Sequence, residues 1–224
     1  MVKSFFKVSK KTAAPASKPK FLEGITVKNA KGDPVVVSDL WKRTTVILKV
    51  LRRFGCPLCR YESRLLSELK PELDALGIKL AAVGFEDVGL SDFLAGGYWD
   101  WDILIDTERS VHKALNLPKL PVSAGLKDLM SAATRSAIAA AQKAGITGDL
   151  KGDGFQLGGT FVVEKVTGEL LYDFKQVGAG SYCSLKEIYE ACGGDPDDID
   201  EKAPEDCIAY TKKVCTIGGE CFKD

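Results

Sequence analysis

Val46-Ile47-Leu48-Lys49-Val50-Leu51 runs straight into Arg52-Arg53-Phe54-Gly55-Cys56-Pro57-Leu58-Cys59-Arg60, and the order of these residues decides the fold. The first six form an almost unbroken apolar run, the pattern of a central strand covered on both faces. Pro57 stands where the first helical turn tolerates proline. Leu58, Leu65, Leu66, Leu69, Leu73 and Leu76 then recur at roughly helical spacing until Gly77, with Pro71 expected to bend the helix. A strand, a Cys-x-x-Cys turn and a helix therefore follow one another without a spacer.

That geometry puts Cys56 near the helix N-cap, where unpaired N–H groups and the positive end of the helix dipole favour a thiolate over a thiol. Arg52, Arg53 and Arg60 add positive potential, and the thiolate is the nucleophilic form. Cys59, one turn on, is placed to attack a mixed disulfide or sulfenic acid at Cys56 and close an intramolecular disulfide. Cys56 is expected at a solvent-reachable mouth of the fold with Cys59 behind it. Half of a zinc site and two packing cysteines are the alternatives for such a pair. No second Cys-x-x-Cys follows, and His112, the one histidine, lies in an apparent helix over 110–117 and is expected on its surface.

The 224 residues are 45% apolar and 28% charged, enough for a substantial core. With 31 basic and 31 acidic residues, no broad electrostatic pull toward nucleic acid or an anionic membrane is present. No apolar run approaches the ~20 residues of a membrane span. Residues 1–20 carry Lys3, Lys7, Lys10, Lys11, Lys18 and Lys20 with no acid before Glu23, which reads as a flexible basic arm. An organellar presequence is the alternative, against which stand Pro15, Pro19 and the lack of arginine. A reducing cytoplasm is the default compartment, where Cys-x-x-Cys more often marks catalysis than a structural staple.

Outward from the cysteines, 25–27 and 34–37 read as a hairpin turning at Gly32-Asp33, and Ser38-Asp39 reads as the cap of a short helix holding Trp41. Strands are expected at 78–84 and 103–105, with a short helix at 90–94 between them. The alanine-rich 126–144 favours one helix within an insertion over 118–154, either a lid or a surface appendage. A hairpin over 160–163 and 170–174 turns at Thr167-Gly168, Ser184 and Glu187 match a capping box, and the core is expected to end near Cys192. Beyond 194 an acidic extension (195–224) carries Cys207, Cys215 and Cys221. With Cys183 and Cys192 these are candidates for disulfides, metal binding or electron relay.

Together with the Leu51–Arg60 segment, Val83-Gly84-Phe85-Glu86, Phe93-Leu94-Ala95-Gly96-Gly97-Tyr98-Trp99, Ile105-Asp106 and Gly152-Asp153-Gly154-Phe155-Gln156-Leu157-Gly158-Gly159-Thr160-Phe161-Val162-Val163 follow in an order that carries a resemblance. From about 22 to 194 the chain resembles the peroxiredoxin-like (AhpC/TSA-like) thioredoxin-fold family that includes prostamide/prostaglandin F synthase. The resemblance implies an α/β thioredoxin-like domain over 21–194, a mixed sheet flanked by helices. It implies catalytic cysteines at Cys56 and Cys59 and reduction of an O–O bond in a peroxide or endoperoxide. It also implies no bound cofactor or metal, with reducing equivalents from NADPH through thioredoxin or a similar thiol donor.

Two departures shape the site. The proline and threonine of the usual peroxiredoxin signature would fall at Lys49 and Arg53, and the arginine usual before the later strand falls at Gly158. Arg53 and Arg60 are therefore the candidate holders of a peroxide oxygen. At Gly159-Thr160 no proline stands where thioredoxins carry a cis-proline, and Gly158-Gly159 is expected to let backbone approach the Cys-x-x-Cys turn or a ligand. The candidate substrate-binding set is Phe54, Pro57, Gly158, Gly159 and Thr160. Glu86 is the candidate proton donor to a leaving alkoxide, and Trp99 and Trp101 are either pocket or core aromatics. Two rivals to an O–O reductase remain open: a protein thiol-disulfide exchanger, and a redox sensor that changes a surface without turnover.

Overall fold

The computed structural model describes residues 22–210. The basic arm and both Cys215 and Cys221 fall outside them.

The apolar run forms β3 (Val46–Val50), buried at every position as its unbroken pattern requires. It pairs in parallel with β4 (Lys79–Gly84), which pairs in parallel with β5 (Asp102–Ile105). The lead-in hairpin of β1 (Thr26–Asn29) and β2 (Pro34–Val36) joins β5 antiparallel through β1. On the other side of β3, β6 (Gly159–Val163) and β7 (Leu170–Lys175) are antiparallel neighbours, giving the order β2-β1-β5-β4-β3-β6-β7.

Helix α1 (Pro57–Ser67) leaves the carboxyl end of β3, and α2 (Lys70–Ala75) follows with Pro71 in its first turn. The single bent helix expected to Gly77 is thus two helices, because proline starts the second one instead of kinking the first. Between strands lie α3 (Leu90–Ala95) and α4 (Ser110–Ala114). The insertion is also two helices, α5 (Val122–Leu129) and α6 (Ala132–Lys143). Ser131 breaks the alanine-rich run by accepting the Thr134 N–H as the N-cap of α6. Ser38 and Asp39 do not cap a helix but lie inside a 3-10 turn over Val37–Trp41.

Two apolar clusters cover the two faces of the sheet. One holds Val46, Leu48, Val50, Phe161 and Trp41; the other holds Ile47, Val162, Cys56, Cys59 and the α1 leucines. Ala133, Ala137 and Ala141 of α6 are buried, and their small side chains let α6 lie close against α1. Helix α7 (Leu185–Ala191) is capped by Ser184, whose hydroxyl accepts the Glu187 N–H. The core does not end at Cys192: Ile199, Ala203 and Cys207 are buried with the α1 cluster, Cys207 at 0% exposure. The first part of the extension is therefore core, because its few apolar residues find the open side of α1 and α6.

Candidate active site

Cys56 is the N-cap of α1, with extended backbone (φ −73°, ψ 122°) and Pro57 next. Its carbonyl accepts the Arg60 N–H at 3.0 Å, the first bond of the helix, which leaves the N–H groups of the opening turn free to face its sulfur. Arg52 Nη2 stands 3.1 Å from that sulfur. The Cys59 thiol also donates to it, and this hydrogen bond is the largest influence holding the Cys56 pKa well below the ordinary thiol value. Burial pulls the other way, but the charges of Arg52 and Arg53 and the Cys59 N–H add to the hydrogen bond and prevail. The same bond pushes the Cys59 thiol upward, with burial and the Cys56 negative charge acting alike. The two thiols are thus shifted in opposite directions, Cys56 toward the thiolate and Cys59 toward the protonated form, the division of labour that attack and resolution need.

Neither sulfur sits at an open mouth: Cys56 and Cys59 are each 3% exposed. The expectation of a surface thiolate is corrected by the insertion, which roofs it. Cys56 instead borders a cavity of about 290 Å³, with Arg52, Arg53 and Pro57 beside it and Leu129, Ile138, Leu150 and Phe155 across it. The sulfur is thus reached through an apolar chamber with two cations at its base. The Nε atoms of Arg52 and Arg53 are buried without a hydrogen-bond partner, donors ready for an oxygen ligand.

The segment after α6 closes over the cysteine turn. Asp149 N–H donates to Gly55 O at 2.8 Å, Arg60 Nη1 to Thr147 O at 2.8 Å, and Arg53 Nη1 to Lys151 O at 2.9 Å. A Cβ on Gly148 would stand 2.3 Å from Gly55 O, so only glycine lets the two backbones approach.

Of the residues picked out in the sequence, Cys56, Arg53 and Pro57 border the chamber. Arg60 does not: its Nε donates to Phe54 O at 2.8 Å and its guanidinium lies over the Tyr98 ring, so it braces the turn. Phe54 is core, edge-on to Phe93 with ring centres 5.2 Å apart. Gly158 and Gly159 press on the sheet, where a Cβ on Gly158 would meet Val50 O at 2.1 Å. The close approach expected of them belongs to Gly148. Thr160 accepts from Lys49 Nζ at 3.2 Å beneath α1, away from the chamber. Glu86 stands outside it as well, its Oε1 enclosed without a partner and its pKa raised chiefly by burial. Trp99 is core, and Trp101 is half-buried beneath Lys70.

His112 corrects its expectation. It is 2% exposed, with Nε2 3.3 Å from Leu51 O, and burial lowers its pKa to about 4. The short α4 packs flat on the sheet, so the position expected on its surface faces inward.

Sequence reasoning missed a buried polar network under α1. Lys49 and Glu62 form an ion pair at 2.5 Å; Gln176 Nε2 donates to Glu62 at 3.3 Å, and the Cys183 thiol lies 3.5 Å from both Glu62 and Thr160. The signal was a lysine inside an otherwise apolar strand. Among the described residues no group of three or more His, Cys, Asp or Glu stands close enough to hold a metal ion.

Comparison with known proteins places this chain in a family. The sequence model of the AhpC/TSA antioxidant enzyme family matches residues 65–178. The chain is 32% identical over 193 residues to the prostamide/prostaglandin F synthase of Xenopus tropicalis, covering 86% of this chain and 94% of that one. It is 36% identical over 180 residues to the Sus scrofa prostamide/prostaglandin F synthase, covering 77% and 89%. The chain belongs to the AhpC/TSA antioxidant enzyme family. As such it is a thioredoxin-fold oxidoreductase, and its sheet agrees with solved structures. Xylella fastidiosa PrxQ superposes with a TM-score of 0.53 at 12% identity, covering 93% of this chain and 99% of that one. Peroxidoxin BcpB of Mycobacterium tuberculosis gives 0.53 at 14%, covering 84% and 98%. In this AhpC/TSA protein the family match begins after Cys59, so the role of the cysteines rests on their geometry.

Proposed function

We propose that the protein reduces the O–O bond of a peroxide or endoperoxide through Cys56 and Cys59. The observation that carries this is the Cys56 sulfur held by Arg52 and the Cys59 thiol at the wall of a chamber that admits a small molecule. The Cys56 thiolate attacks one peroxide oxygen, the O–O bond breaks, and the departing alkoxide takes a proton from solvent to leave as an alcohol. Arg53 Nε, unpartnered at the chamber wall, holds the developing oxyanion. Cys59 then attacks the sulfur of the Cys56 sulfenic acid. An S–S bond forms, and hydroxide leaves with the Cys59 proton as water. With an endoperoxide the first product is a sulfenate ester, and Cys59 displaces the second alkoxide. An external dithiol, thioredoxin fed by NADPH, returns both sulfurs to the reduced state. The names of the Xenopus and porcine relatives support the endoperoxide branch, and the reducing cytoplasm suits the free cysteines of the described residues.

The chamber beside Cys56, with both sulfurs only 3% exposed, favours a small peroxide over a protein disulfide as the oxidant that meets the reduced pair. The test is NADPH consumption with thioredoxin and thioredoxin reductase. Multiple turnovers of a hydroperoxide or endoperoxide, lost in Cys56→Ser, support the reading. One oxidation without recycling indicates a sensor, and reduction of insulin with peroxides ignored indicates an exchanger.

A further inference from the structure

Helix α5 is laid on the protein the wrong way round for a surface helix. Its buried residues are Gly125 and Asp128. A Cβ on Gly125 would stand 2.7 Å from the Phe155 ring, and Asp128 accepts the Ala179 N–H and, at 3.2 Å, the Tyr210 hydroxyl. The large aliphatic residues face outward instead. Val122, Leu126 and Leu129 recur at i, i+4 and i+7, with Met130 at the C-cap, and each of the four is more than half exposed. Leu129 carries this stripe to the chamber: with Ile138 and Leu150, also exposed, it borders the cavity beside Cys56, and Leu150 is 85% exposed. Among the described residues, six of the twelve exposed large apolar side chains thus fall in the 118–154 insertion, around the chamber rim, which is a patch and not the single scattered residues normal for a surface.

The charge of the insertion is one-sided, although the whole chain balances 31 against 31. Lys119, Lys127, Arg135, Lys143 and Lys151 are all exposed, whereas Asp128 is buried and Asp149 and Asp153 are partly buried. Asp153 is taken up by Arg109 and Lys119, and Asp149 accepts the Lys151 N–H. Asp206, from outside the insertion, meets α6 at Ser136. Aliphatic side chains flanked by lysine and arginine suit an anionic lipid interface, where the hydrocarbon enters the headgroup region and the cations stay at the phosphates. A second copy of the chain fits worse, since pairing two such faces sets like charges against each other.

We propose that α5 and the chamber rim dock on the surface of an anionic phospholipid bilayer and open the chamber to peroxides dissolved in it. The docking stands on the surface just described; the delivery of a peroxide rests on the peroxide-reducing reading above.

The test is cosedimentation of the whole protein with phosphatidylcholine vesicles containing about one-third phosphatidylserine, against phosphatidylcholine alone. Wild type pellets with the anionic vesicles, and high salt weakens the binding. Leu126→Ser/Met130→Ser and Lys127→Glu, changes at exposed positions outside the chamber lining, each weaken it roughly fivefold or more. With a water-soluble alkyl hydroperoxide both variants turn over as wild type does; with a fatty-acid hydroperoxide carried in the vesicles they slow in step with the lost binding. Wild type that ignores anionic vesicles, or variants that bind them as well as wild type does, overturn the docking. Loss of thioredoxin-supported turnover of the soluble hydroperoxide in Leu126→Ser/Met130→Ser assigns the face to the protein reductant, and a wild-type dimer that this variant dissociates assigns it to a second copy; either overturns the proposal. Vesicle binding by a protein whose Cys56 ignores peroxide upholds the docking and overturns the peroxide reading.

Discussion

Replacing Arg52 by methionine removes a guanidinium 3.1 Å from the Cys56 sulfur while keeping much of the buried stem. A hydrogen bond to a charged group contributes about 1.5–3 kcal/mol, and 1.36 kcal/mol is one pKa unit, so the Cys56 pKa rises by roughly one to two units. The Cys59 thiol still donates to the sulfur, so the value stays below that of an ordinary thiol. The sign follows from the thiolate being the reactive form: reactivity is present above the folded pKa and lost as pH falls through it, so the variant loses reactivity at higher pH than wild type. Because intrinsic nucleophilicity grows as the pKa rises, the midpoint is a cleaner readout than the rate at one pH. The assay is iodoacetamide alkylation against pH, followed on the Cys56 peptide by mass spectrometry. Arg52→Lys, which keeps the charge, falls between. A midpoint within a few tenths of a unit of wild type, or a larger shift in Arg53→Met, refutes the assignment of Arg52 as the stabilising cation.

Cys59→Ser leaves the first oxidation intact but blocks internal disulfide closure, so the Cys56 sulfenic acid becomes trappable by dimedone after one equivalent of peroxide. Glu62→Ala strands the buried Lys49 charge and costs about 3–5 kcal/mol in urea unfolding, whereas the double change Lys49→Met/Glu62→Leu recovers most of it. His112 is a base whose folded pKa is depressed from 6.5 to about 4, so its neutral form stabilises the fold. That contribution is whole above pH 6.5, declines as pH falls toward 4, and totals about 3 kcal/mol, the slope being absent in His112→Leu. Gly148→Ala forces a Cβ onto Gly55 O; it separates the 147–152 segment from the cysteine turn and lowers peroxide turnover without moving the Cys56 pKa by as much as Arg52→Met does.

The strand, cysteine turn and helix were legible because each signal is local: an apolar run, a proline at a helix start, and leucines at helical spacing. Contacts between distant residues were not. Lys49 announced a buried charge, but its partner Glu62 reads as an ordinary helix-surface residue until α1 is laid on β3. The alanines of α6 spelled a helix but not its placement, and it is the docking of α6 on α1 that roofs Cys56. For the same reason Arg52, Arg53 and Arg60 could not be ranked from sequence. Three cations within nine residues leave the turn in different directions, one to the sulfur, one to the chamber wall and one to the braces at Phe54 and Thr147. His112 was misplaced because a five-residue helix carries too little periodicity to show which side faces the sheet.

The most direct measurement of the central claim is the state of the two active-site sulfurs after a single equivalent of hydroperoxide, read by alkylation and peptide mass mapping at neutral pH. A new bond between Cys56 and Cys59, formed in wild type and absent from Cys56→Ser, is the predicted result. Both thiols still free and alkylatable while the peroxide persists would contradict it.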